Sequence, residues 1–162
     1  MKLISFQVFS NNIARLDFAH GTVWVDLDQN SGRVLTRNKV GYFPKIQHTG
    51  IYLGKNRFNG IPLVIHNHYH YGTSYISSFD EYRSGVVARW QEGTCTNRPN
   101  LVITIGLNQV VRGERYRPIT NNCQVMTNTA CHNRRDSEDV TKLAGKVLGV
   151  IAITALIKAI AA

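Results

Sequence analysis

Two short stretches hold the residue types best suited to chemistry: Gln47-His48-Thr49-Gly50-Ile51-Tyr52-Leu53-Gly54 and Asn121-Asn122-Cys123-Gln124. A thiol attacks an acyl carbonyl well only as the thiolate, a form favoured by a neighbouring imidazole and by the positive end of a helix. His48 falls in an alternating, strand-like run. There Ile46, His48, Gly50 and Tyr52 share one face, and Gln47, Thr49, Ile51 and Leu53 share the other. Gly50 leaves room beside the histidine for a substrate or an opposing backbone. Asn122 is a good helix N-cap, which puts Cys123 in a first turn whose amides can stabilise a thiolate and cradle the oxyanion of a tetrahedral intermediate. Taken singly, a strand histidine is more often a hydrogen-bonded core residue, and such a cysteine is more often buried and inert. The pairing of the two carries the argument.

A second histidine set, His66, His68 and His70, projects to one face of the next strand-like run. One reading is imidazole ligation of a first-row metal. Against it stand the lack of a nearby carboxylate and a spread of about 13 Å along a straight strand. The other reading pairs His66 alone with His48, orienting its imidazole as the third group of a nucleophilic triad does, while His68 and His70 line the approach or meet solvent. The three cysteines, Cys95, Cys123 and Cys131, are odd in number and lack CxxC spacing, which argues against a disulfide framework or a structural zinc. Cys95 and Cys131 read as structural or incidental, and no metal or cofactor is expected.

These residues need elements to hold them. Strands are expected at 3–9, 13–18, 22–28, 33–37, 47–53 and 62–70, with further strand candidates at 85–90 and 101–105. Helices are expected at 77–82 after a serine cap, at 106–116 with an end near Gly113, at 122–132, and from about 137. The composition fits one domain, 1–146, followed by the apolar stretch 147–162, whose one charge is Lys158. That stretch is short of the roughly 20 residues that cross a bilayer unaided. Lys146, Val150, Thr154 and Lys158 share a helical face, so it lies in an interface, inserts with Lys158 snorkelling, or packs as a buried helix.

Nineteen Lys and Arg against ten Asp and Glu give a formal charge of +9, which favours anionic surroundings such as phospholipid headgroups, nucleic acid or acidic glycans. No helix carries a continuous basic stripe with interleaved aromatics, which argues against a dedicated nucleic-acid reader. Met1-Lys2-Leu3-Ile4-Ser5-Phe6 begins like an export signal, but Gln7 and then Ser10-Asn11-Asn12 break the apolar run. The expectation is no cleavable signal and a cytoplasmic or membrane-associated protein, with secretion by another route left open.

The order His-x-Gly-Ile-Tyr-Leu-Gly (48–54), Val64-Ile65-His66, Phe79-Asp80-Glu81-Tyr82, and Tyr116 followed by Asn121-Asn122-Cys123 resembles the lecithin retinol acyltransferase family. That family is the circularly permuted branch of the papain-like NlpC superfamily, in which the histidine strand precedes the cysteine helix. The resemblance covers roughly 46–140. It implies an α+β, permuted papain-like fold: an antiparallel sheet packed on a helix that carries the cysteine at its N-terminus, here with extra N-terminal strands. Cys123 becomes the nucleophile, His48 the general base and His66 the polar third residue, with Tyr52 and Asn122 as near-site or oxyanion candidates. The family's apolar C-terminal anchor has a counterpart in 147–160. The chain departs from the pattern where Gln124-Val125-Met126 replaces Glu-His-Phe, where 39–46 lacks the acidic Gly-Asp turn, and in residues 1–35, which have no counterpart. The activity implied is a cysteine-dependent acyl hydrolase or acyltransferase working through a thioester; the positive charge and the apolar C-terminal stretch favour phospholipid acyl esters at an anionic membrane surface as its substrates. Two alternatives stay open: a peptidoglycan peptide amidase of the NlpC type, and a non-catalytic or metal-binding module using the His66/His68/His70 face. A toxin role suits a small lipid- or wall-degrading domain, but the sequence shows no delivery route or immunity partner.

Overall fold

Alternating β-branched and aromatic residues around tight turns build an N-terminal meander of β1 (Leu3–Phe9), β2 (Ile13–Phe18) and β3 (Gly21–Asp26). Asn12, in the left-handed region at φ 60°, makes the first of these turns. The chain continues through β4 (Val34–Asn38), β5 (Gln47–Asn56), β6 (Pro62–His68), β7 (Thr73–Ser78), α1 (Phe79–Arg83), β8 (Arg89–Trp90), α2 (Pro99–Arg112) and α3 (Cys123–His132). The computed structural model describes residues 2–38, 47–68, 70–93, 95–118, 120–137, 140–141 and 144–145. The apolar stretch 147–162 and the segment 39–46 lie outside the described residues. The protein is α+β: an open antiparallel sheet with a few helices.

β5 is the hub of the sheet. Its first half pairs with β4, its end with β3, and its other edge with β6, beyond which lies β7. Where β5 crosses β3, Gly54 adopts φ +140°, and a Cβ there would sit 2.4 Å from the Asp26 carbonyl oxygen, so no side chain fits. The two faces of the hub are buried differently. Ile51 and Leu53, with Ile65 of β6, pack under α2 and α3 against Val102, Ile103, Leu107, Met126 and Ala130. Each of the larger of these side chains, Val, Ile, Leu and Met, contributes about 1.5–3 kcal/mol relative to exposure. The opposite face carries a smaller cluster of Leu35, Tyr52, Val64 and Tyr82. The alternation expected for 47–53 is thus observed, and His48 lies on the face away from α3.

Three expectations are corrected. Residues 101–105 are part of α2, not a strand. Their β-branched run suggests extended chain, but Pro99 starts a helix, and Val102, Ile103, Gly106, Leu107 and Val110 form its buried stripe. Of 85–90, only Arg89 and Trp90 pair, with β4; conversely, β7 went unread. Cys95 and Cys131 form a disulfide, leaving Cys123 as the free cysteine. An odd count forbids complete pairing but not one bridge, and the packing of the pre-α2 loop on the end of α3 brings these two together. The same seam is hydrogen-bonded: Asn97 donates from its backbone to the Cys131 carbonyl and from Nδ2 to that of Ala130. Among the described residues, no helix is long and apolar enough to cross a membrane.

Candidate active site

His48 enters the protein on β5 and His66 on β6, both fully buried. Their rings meet edge to face, with Nε2 of His48 2.9 Å from Nδ1 of His66. The next strand supplies Ser77, whose Oγ lies 2.9 Å from Nε2 of His66. Beneath the pair lies Tyr82 of α1. Its ring stacks on His48, and its hydroxyl is shared between the carbonyl oxygens of His48 (2.9 Å) and Leu35 (3.0 Å). The short helix that aims Tyr82 is capped by Ser78, whose side chain accepts from the Glu81 amide. Gly50 is required by this arrangement, since a Cβ there would lie 2.7 Å from Val64 and 2.9 Å from the Tyr82 ring. The space expected for a substrate beside His48 is filled by a tyrosine.

Cys123 is the first residue of α3, 3 % exposed, and its Sγ lies 3.8 Å from the carbonyl oxygen of Gln47, the residue before His48. Two contacts hold the helix end there. Thr127, one turn on, hydrogen-bonds Thr49 across to β5 at 3.1 Å. Asn67, fully buried between His66 and His68, donates from Nδ2 to the Asn121 carbonyl at 2.9 Å. The thiol therefore reaches the end of β5 from the helix side, at the strand end where His48 faces the other way.

No protein-family model, curated protein or solved structure matches this chain.

Arg37 stands directly opposite His48 in the β4–β5 register and is buried, donating from Nε to the Tyr82 carbonyl and from Nη1 to that of Asn38. Burial lowers its pKa, opposed by the negative potential of Tyr82 and Cys123. Tyr82 is held well above the usual phenol range, first by burial and then by the nearby Cys123 sulfur, against the pull of Arg37. His66 is pushed down to about 3 by burial, then by His68 and Arg37, and so stays neutral.

The other candidates are placed as follows. Tyr52 lies four residues along β5 from His48, roughly 13 Å away; its hydroxyl donates to Asp28 at 2.9 Å and its ring meets Trp90. It belongs to the small core cluster and is not brought to the cysteine. Asn122 is the N-cap of α3: Oδ1 accepts from the amides of Gln124 and Val125, and Nδ2 donates to the Pro118 carbonyl. Its side chain is committed to the cap, and two first-turn amides are taken with it. His68 meets His48 edge to face, with ring centroids 5.5 Å apart, while His70 lies in the turn after β6 and donates its amide to Nδ1 of His68. With both His66 nitrogens engaged, the three histidines do not converge. Among the described residues, no group of three or more His, Cys, Asp or Glu is arranged to hold a metal ion. Arg37, Asn67, Ser77 and Tyr82 went unread as site residues. Tyr82 alone left a signal, as the last residue of the Phe79-Asp80-Glu81-Tyr82 stretch.

Proposed function

We propose that the protein is a thiol acyl hydrolase or acyltransferase with a permuted papain-like fold, its nucleophile Cys123 and its base His48, and that its substrates are phospholipid acyl esters. The observation that carries this is the approach of Cys123 to the backbone of the His48 strand, 3.8 Å from Gln47, beside a buried His48–His66 pair. For the reaction the Cys123 side chain, which starts on the helix side of β5, swings past the Gln47 carbonyl at the strand end to reach His48, and gives up its proton as sulfur attacks the ester carbonyl. The tetrahedral oxyanion faces the start of α3, where Asn122 has taken the Gln124 and Val125 amides and the amide of Cys123 itself serves. Collapse breaks the ester C–O bond, and the His48 proton goes to the departing alcohol. Water then loses a proton to His48 and attacks the thioester; that proton returns to sulfur as the acid leaves. An acyl-accepting amine or alcohol replaces water in the transferase variant.

Lipid is favoured over other acyl substrates by the +9 charge and by the apolar stretch 147–162. A second reading, cleavage of peptidoglycan peptide amides by the same two residues, is favoured by the Cys95–Cys131 disulfide, since such bonds persist outside the reducing cytosol. Mass spectrometry of anionic phospholipid vesicles and of soluble muropeptides, each incubated with wild-type and Cys123→Ala protein, separates them. Free fatty acid released by the wild type alone supports the lipid reading, and a cut muropeptide supports the second. No product from either defeats the proposal.

A further inference from the structure

Both ring nitrogens of His66 have partners: Nδ1 faces Nε2 of His48, and Nε2 faces Oγ of Ser77, each at 2.9 Å. A neutral imidazole has one N–H and one lone pair, so one bond is donated and the other accepted. A third contact decides which. Ser77 Oγ also lies 3.0 Å from the carbonyl oxygen of Ser78. A carbonyl only accepts, so the single hydroxyl hydrogen of Ser77 goes there, and a lone pair of Oγ faces His66. His66 then donates from Nε2 and accepts at Nδ1, and His48 must donate from Nε2.

We infer that Ser77, held by the Ser78 carbonyl, is a positioning residue that sets the direction of this hydrogen-bond chain, so that His48 keeps its proton on Nε2 and holds at Nδ1 the lone pair that a base needs. The inference rests on the thiol-histidine reading above. Turning the serine hydroxyl onto His66 would reverse every bond in the chain and leave His48 protonated on Nδ1, where it could take no proton. With the chain as found, transfer breaks the S–H bond and forms an N–H bond at Nδ1 of His48. The imidazolium keeps its Nε2–H bond to His66, and no other proton moves. The strand geometry supports this, because Ser77 pairs with Val64 in the β6–β7 register, diagonal to His66 on the same face. Ser77 is 4 % exposed. Ser78 is fixed in turn as the N-cap of α1, in extended conformation with its side chain on the Glu81 amide. The carbonyl that receives the hydroxyl is therefore set by the same cap that aims Tyr82 at His48.

The test uses the full chain with 15N-labelled histidine at pH 8, where long-range proton–nitrogen spectra report which nitrogen of each ring is protonated; His48→Gln and His66→Gln spectra assign the signals. Wild type is expected to show Nε2–H at both His48 and His66. Ser77→Ala is expected to give mixed tautomers at both rings and to lower turnover roughly ten- to a hundredfold, the range for a group that fixes a histidine tautomer. Ser77→Thr, which returns a hydroxyl, restores both. Nδ1–H at either ring in the wild type, or wild-type tautomers in Ser77→Ala, overturns the inference. The spectra decide this whether or not a substrate is found, so a protein that turns over no ester or amide defeats the hydrolase reading separately.

Discussion

His66 is the residue whose chemistry is most altered by its surroundings. Burial, His68 and Arg37 push it down to about 3 from 6.5, so the folded protein refuses a proton that the unfolded chain accepts below about pH 6.5. The folded pKa is the lower one, so this group's contribution to stability is complete above pH 6.5 and is lost progressively as pH falls toward 3. Urea unfolding between pH 4.5 and 8 should show stability falling on the acid side by up to about 1.4 kcal/mol per pH unit from this one proton. His66→Gln should remove that part of the slope, and an unchanged slope in the variant would contradict the assignment. Cys123 gives a second test at this scale. With Cys95 and Cys131 joined, iodoacetamide at pH 6 has one free thiol to meet. Stoichiometric labelling at Cys123 that slows markedly in His48→Ala is expected; equal rates in the two proteins would count against the base role. The strand positions of His48 and His66 and the place of Cys123 at a helix start were legible from alternation and capping. Ser77, Asn67 and Arg37 were not, because a serine, an asparagine or an arginine in a strand acquires its role from a partner far away in the chain.

At the scale of elements, β5 works through its two faces. Thr49, Ile51 and Leu53 fix α3 and the cores beneath it, while His48, Gly50 and Tyr52 face α1. Gly50→Ala should lower unfolding stability by about 1–3 kcal/mol, the range for overpacking, because its methyl group meets Val64 and Tyr82 at under 3 Å. Activity should fall with it, since the ring displaced is the one stacked on His48. Urea midpoints and turnover measured together check this, and a variant as stable as wild type would show that α1 yields freely. The strands at the N-terminus and the helix 122–132 were readable from alternation, turn residues and capping. The helix from Pro99 was not, since its β-branched run favours extended chain locally and only burial against Ile51, Leu53 and Ile65 outweighs that preference.

Across the whole molecule, the disulfide closes a loop with a sequence separation of 36 between the pre-α2 segment and the end of α3. Reduction should cost about 4 kcal/mol in the loop-entropy account, read as a lower urea midpoint in dithiothreitol, with Cys95→Ser reproducing it in the absence of reductant. A midpoint indifferent to reductant would show that the hydrogen-bonded seam at Asn97 carries the closure by itself. The sequence by itself determined the one-domain scale, the basic charge, the alternation of the central strand and the cap ahead of Cys123, because each depends on neighbours within a few residues. The tertiary structure alone decided that Tyr52 stands apart from the cysteine, that Asn122 is consumed by its cap, that two cysteines pair, and that Ser77 ends the histidine chain. Those outcomes depend on which distant groups meet in a buried setting where every hydrogen bond must find a partner, and no local pattern in the chain carries that information.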